Sequence, residues 1–161
     1  MKKTNQYLKC INTEFLKSAL VLIILFLQSQ VSGADCSVNA VGVVFSQYSA
    51  LDRVPNNSGV GSITVVCNGE GITPTVSLSS NNNSSTTSRS MRNLVGSDKL
   101  SYNLYVNAAR SIVWGDGKGQ GSTVSVQSNS VAILSVYGQI PALQDVSVGS
   151  YTDNLIVTVS F

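Results

Sequence analysis

The sequence predicts an all-β domain behind an export leader. Past residue 34, apolar residues recur with a period of two in short runs. Clusters of Gly, Asn, Ser and Asp separate those runs. No segment of that region keeps a helical spacing over a useful length. This pattern belongs to a β-sandwich or barrel.

The strands follow in order. Ser37 to Phe45 (SVNAVGVVF) is rich in β-branched residues, and Ile63 to Cys67 (ITVVC) is a short apolar run bounded by Gly61 and Asn68-Gly69. Thr73 to Ser79 alternates, with Val76 and Leu78 on one face. Leu100 to Val106 alternates as well and gathers Leu100, Tyr102 and Leu104. Ile112 to Trp114 is a short candidate, Ser122 to Gln127 alternates, and Val131 to Ile140 is long and mostly apolar. Leu155 to Phe161 places Leu155, Val157, Val159 and Phe161 on one face. Between these runs lie polar connections. Ser79 to Ser90 contains SSNNNSSTTSRS, a composition with little apolar area to bury, and reads as a mobile loop.

The leader, residues 1–34, divides into three parts. Lys2, Lys3, Lys9 and Lys17 make a basic region, Ala19 to Leu27 is unbroken apolar sequence, and Ser32-Gly33-Ala34 supplies small residues ahead of Asp35. That order is the pattern of a cleavable signal peptide. The apolar run is too short for a membrane anchor, which needs about 20 residues, so no membrane span is expected after cleavage. Asp35 before Cys36 also argues against a lipoprotein site. The mature domain is then 35–161. It holds six bases against seven acids, so the positive charge of the whole chain belongs to the leader. A near-neutral domain without a basic cluster offers no electrostatic footprint for nucleic acid.

Cys10 leaves with the leader, and Cys36 and Cys67 remain. An even pair in an oxidising compartment is expected to form a disulfide. A metal site would need partners, and the chain has no histidine and no third mature cysteine. Catalysis also lacks parts. No histidine is present to activate the many serines. Lys99 and Lys118 sit in no recognisable motif, and Asp98, Asp116, Asp145 and Asp153 lie beside turn-forming residues. The glycine-rich stretch Gly115–Gly121 follows Lys118 with Gly119 rather than Ser or Thr, and a strand rather than a helix comes next. It therefore reads as a connection, not a phosphate loop. No catalytic, cofactor-binding or metal-binding residues are expected. Tyr48, Tyr102, Tyr105, Tyr137, Tyr151 and Trp114 read as cross-strand core and rim residues.

The last strand runs to Phe161 on its apolar face. If it borders a gap in the sandwich, the fold has an unpaired edge beside an apolar groove, which a strand from another chain would fill.

Several pieces, in order, resemble the spore coat protein U domain family, the fold of archaic chaperone–usher pilus subunits. They are Cys36-Ser37-Val38 with Val44-Phe45 and Tyr48, then Gly61 to Cys67, and Arg89 with Met91. Leu100 to Tyr105, Ala108-Ala109-Arg110, Trp114-Gly115-Asp116-Gly117, Val136 to Pro141 and Gly149 to Asp153 complete the set. The resemblance covers essentially all of 36–161. It implies an incomplete immunoglobulin-like β-sandwich lacking its last strand, with Cys36 and Cys67 as the family's one disulfide. It also implies partners: a periplasmic chaperone that lends a strand during folding, an outer-membrane usher, and other pilus subunits. In the family, a neighbouring subunit's N-terminal extension later replaces the chaperone's strand. Leu155, Val157, Val159 and Phe161 would line the acceptor groove. The expected outcome is export to the periplasm and then a surface pilus or secretion, with a role in attachment or biofilm formation. Cleavage before Asp35 leaves no donor segment ahead of Cys36, so this subunit is expected to accept a strand and not give one. A self-contained secreted module that binds carbohydrate or a surface, or a coat protein, is the alternative reading.

Overall fold

A computed structural model of the chain describes residues 33, 35–80, 85–118 and 121–161. The expected leader, 1–34, lies outside the described residues save Gly33.

The described strands are β1 (Asp35–Val44), β2 (Val60–Asn68), β3 (Thr75–Ser80), β4 (Arg89–Asn93), β5 (Lys99–Tyr105), β6 (Val124–Ser125), β7 (Ser130–Gln139), β8 (Tyr151–Thr152) and β9 (Leu155–Ser160). One sheet has the order β1-β2-β7-β5-β4-β8 and the other β6-β3-β9. All the strand pairings are antiparallel. The result is an all-β, immunoglobulin-like sandwich with no helix among the described residues.

Alternation places the core where the sequence predicts it. Ile63, Val65 and Cys67 of β2 face inward with Leu100, Tyr102 and Leu104 of β5, and Val76 and Leu78 of β3 meet them from the other sheet. Trp114 is buried among them and donates its indole N–H to the Val76 carbonyl at 3.2 Å, which satisfies the one polar atom of an otherwise apolar side chain. Cys36 and Cys67 form a disulfide and stand directly opposite each other in the β1–β2 ladder.

Two strands escaped the sequence reading. In β4 the inward positions are Arg89, Met91 and Asn93, all buried, so its apolar period is broken by a cation and an amide. The two residues of β8 are too few to show a period. The segment expected as a mobile loop is consequently shorter. Ser79 and Ser80 pair with Ile156 and Leu155 in β3–β9, and Arg89 and Ser90 pair with Tyr102 and Ser101 in β4–β5. Residues 81–84 lie outside the described residues. The candidate strand Ile112–Trp114 is reduced to single bridges, Val113 to Tyr105 and Trp114 to Ser122. The run Ser122–Gln127 keeps a ladder only over Val124–Ser125.

Candidate functional site

The core is unevenly covered. In the β1–β2 ladder Val38 stands opposite Val65 and Ala40 opposite Ile63, so both face inward. Val65 and Ile63 are 1% and 2% exposed, whereas Val38 is 42% exposed and Ala40 is exposed too. The same holds across the sandwich. Val157 and Val159 of β9 stand opposite the fully buried Leu78 and Val76 of β3, yet they and Leu155 are only half-buried. Among the described residues, the inner faces of β1 and β9 therefore lack a cover that β2 and β3 possess.

The missing cover corresponds to a cavity of about 350 Å³. Ala40 to Val43 line it from β1, Leu155 and Val157 from β9, and Leu78 and Tyr102 form part of its floor. Each flanking strand ends its sheet: β1 pairs only with β2, and β9 only with β3, among the described residues. Among the described residues, two rows of main-chain donors and acceptors thus have no strand partner on the two sides of one apolar cleft. The end of β1 and the start of β9 meet at the cavity. At the other end β1 begins at the disulfide with Cys67, and β9 finishes against Thr75, a few residues past Cys67. The two edges run in opposite directions. A segment laid between them is parallel to one and antiparallel to the other, whichever way it enters.

Polar groups tie the sheets together beside this cleft. The Asp153 carboxylate, which also lines the cavity, accepts the Tyr102 hydroxyl at 2.7 Å and the Ser80 hydroxyl at 2.9 Å. Burial, reinforced by the hydrogen bond to Asp153 and its charge, holds the Tyr102 phenol far above its ordinary range. Arg89 is 1% exposed and spans the interior. Its guanidinium donates to the carbonyls of Thr86, Leu78 (3.1 Å) and Trp114 (2.7 Å) and to the Asn103 side-chain oxygen (2.7 Å). Desolvation lowers its affinity for a proton, opposed by the carboxylates of Asp153 and Asp116.

Of the residues the sequence singles out, Leu155, Val157 and Val159 lie on the inner face of β9. Phe161 follows the strand, which ends at Ser160, and is 61% exposed. The opposite wall is not among the residues the sequence singles out, although the alternation Cys36, Val38, Ala40 carries the signal. It also missed Asp153, whose partners come from two distant strands. Asp116 does serve its turn, accepting the Lys118 N–H at 2.9 Å. No group of three or more acidic, histidine or cysteine side chains able to hold a metal occurs among the described residues.

Comparison with known proteins gives this arrangement a context. The spore coat protein U domain matches residues 23–158. The chain belongs to the spore coat protein U domain family. A relative from Myxococcus xanthus, Protein U, is 30% identical over 146 residues, spanning 80% of this chain and 79% of its own. The fold is similar to a chain in the crystal structure of the CsuC–CsuE chaperone–tip adhesion subunit pre-assembly complex from archaic chaperone-usher Csu pili of Acinetobacter baumannii. There the TM-score is 0.55 at 22% identity, over 80% of this chain and 40% of that one. The family match begins at Ile23, inside the apolar run read as an export leader.

Proposed function

We propose that this protein is a structural, non-enzymatic subunit of a chaperone–usher type surface pilus, and that its sandwich is completed by a strand from another chain. The observation that carries the reading is the pair of free, antiparallel edges, β1 and β9, whose inner faces are under-buried on either side of one cavity. A donated strand would ladder with both edges and cover Val38, Leu155, Val157 and Val159, adding on the order of 1 kcal/mol for each half-buried side chain. The similar solved fold comes from a chaperone–subunit complex, which supports a periplasmic chaperone as the first donor. An outer-membrane usher and neighbouring subunits are the further partners of this reading.

Export through a leader spanning 1–34 is part of the same proposal. Asp35 is already paired with Asn68 at the start of β1, so a chain cleaved before Asp35 would accept a strand without a segment to give. The intact mass of the processed protein checks this: a start well upstream of Asp35 would restore a donor. The attachment role rests on two exposed valines. Val95 and Val148 are 97% and 104% exposed, on loops joined by the Leu94 N–H to the Ser150 carbonyl and the Ser147 N–H to Asp98.

The test is recovery from a bacterial periplasm. The processed chain alone should self-associate or be degraded. A fusion carrying an alternating valine–threonine segment behind Phe161, on a flexible linker, should be recovered as a stable monomer. A stable, cooperatively unfolding monomer without the added segment would contradict the proposal and favour a self-contained binding module.

A further inference from the structure

Asn68 is the one asparagine of the chain followed by glycine. It is the last residue of β2, it is exposed, and it stands opposite Asp35 in the final rung of the β1–β2 ladder. Gly69 turns the chain away at φ 124°, a backbone angle that residues bearing a Cβ avoid. Without a Cβ at position 69, nothing on that residue shields its nitrogen from the Asn68 side chain. The main-chain nitrogen of Gly69 and the amide carbon of Asn68 are therefore a nucleophile and an electrophile one small ring closure apart.

The structure places two restraints on their reaction. The Gly69 N–H donates to the Asn129 side-chain oxygen at 3.0 Å. That bond keeps the proton on the nitrogen and pins the peptide plane between Asn68 and Gly69. Asn129 stands just before β7 and holds φ at 54°, in the left-handed region that asparagine tolerates better than most residues. The second restraint is the pairing of Asn68 with Asp35. It holds the Asn68 backbone extended and limits rotation of the peptide plane toward the side chain. Both restraints lie at the end of a ladder, where local opening costs least. The Cys36–Cys67 disulfide is the next rung in, and it keeps the strands together while the end opens.

We propose that Asn68–Gly69 is a self-modifying site, a slow deamidation gated by Asn129. When the end of the ladder opens, solvent base takes the Gly69 amide proton and the nitrogen attacks Asn68 Cγ. The bond from that nitrogen to Cγ forms, the bond from Cγ to Nδ2 breaks, and Nδ2 leaves as ammonia with a proton from water. Water then opens the resulting succinimide at either carbonyl. One product has aspartate at position 68. The other is isoaspartate, in which the main chain runs through Cβ and Cγ. The net change is an amide and water giving a carboxylate and ammonium, with nothing oxidised or reduced. Isoaspartate lengthens the main chain beside Cys67, so the rung with Asp35 no longer closes in register. Either product sets a new carboxylate opposite that of Asp35. The chain thus keeps a lasting mark of how often the start of β1 has opened. This inference is independent of the strand-acceptor reading.

The test incubates the folded processed chain carrying the fused valine–threonine segment at mildly alkaline pH and follows its asparagines by peptide mapping and mass spectrometry. The mapping needs only folded chain, so the unfused protein serves equally. Asn68 should convert before any other asparagine and give both an aspartate and an isoaspartate peptide. Asn129→Gly suits the positive φ and removes the acceptor. It should speed the conversion about fivefold, the factor that one ordinary hydrogen bond is worth. Asn129→Asp keeps an acceptor oxygen and should leave the rate near the parent's. The chain unfolded in guanidinium should convert fastest, and Asn68→Gln should remove the product. Earlier conversion of another asparagine in the folded chain overturns the site. Equal rates for the parent and Asn129→Gly overturn the gate. Both results leave the strand-acceptor reading untouched, because recovery of the fusion as a monomer decides that reading.

Discussion

Arg89 is buried because acceptors from β3, β5 and two connecting segments converge on it. Its guanidinium holds the Leu78 and Trp114 carbonyls, the Thr86 carbonyl and Asn103, and only Nε is left without a partner among the described residues. Arg89→Met keeps much of the volume and strands those acceptors, so the strand-complemented fusion should lose about 3 kcal/mol in urea unfolding. Tyr102 makes a pH prediction. Its phenol is held neutral in the folded protein by burial and by Asp153, while in the unfolded chain it ionises near its ordinary value of 10.0. Above about pH 10 the unfolded state has released a proton that the folded state keeps, so stability falls as pH rises. Below that pH the contribution is fully present. Unfolding of the fusion between pH 8 and 12 should show this alkaline loss, and Tyr102→Phe should flatten it while lowering stability near neutrality through the lost hydrogen bond. Neither role is readable from the neighbours of these residues in sequence. An arginine followed by a serine in a polar tract looks like loop, and only the convergence of distant carbonyls makes it core.

At the scale of the element, β9 and β1 are opposite walls of one groove. In β9 the inner residues Leu155, Val157 and Val159 alternate with Ile156, Thr158 and Ser160, which are exposed. A charge should therefore act according to parity. Val157→Asp puts a carboxylate where the proposed donor strand would lie, an unpaired charge there costs several kcal/mol, and the fused segment should no longer rescue a monomer. Thr158→Asp, one residue on, points outward and should change the unfolding midpoint by no more than about 0.5 kcal/mol equivalent. Equal damage from both would remove the groove assignment from this face. The alternation of β9 was plain in the sequence because its outer face is polar enough to show a period. That of β4 was not, because Arg89 and Asn93 occupy the inner positions where a period is normally marked by apolar residues.

For the whole molecule, the disulfide secures a strand that ends its sheet. Among the described residues β1 is held by a ladder to β2 alone, and Val38 and Ala40 on its inner face are exposed, so it gains less from burial than an internal strand does. Cys36–Cys67 fastens its first residues across a sequence separation of 31. In the chain-entropy account, closing a loop of that size contributes about 3–4 kcal/mol. Cys36→Ser or Cys67→Ser should cost that much in the fusion and more in practical terms without a donor, where the uncovered edge has no second partner. Reduction with a thiol should reproduce the effect, and a disulfide variant that unfolds at the parent's urea midpoint would count against this role.

The sequence by itself determined which residues face inward along the regular strands, the pairing of Cys36 with Cys67 and the family to which the domain belongs. Each of these is written locally, in a period of two, in a count of two, or in short ordered motifs. Tertiary structure alone decided that β1 and β9 line one cavity from opposite sides, and that Asp153 and Arg89 join the sheets. Those features depend on groups from strands far apart in the chain converging on one place. An alternating strand looks the same in sequence whether its inner face is covered by a neighbour or left open for one.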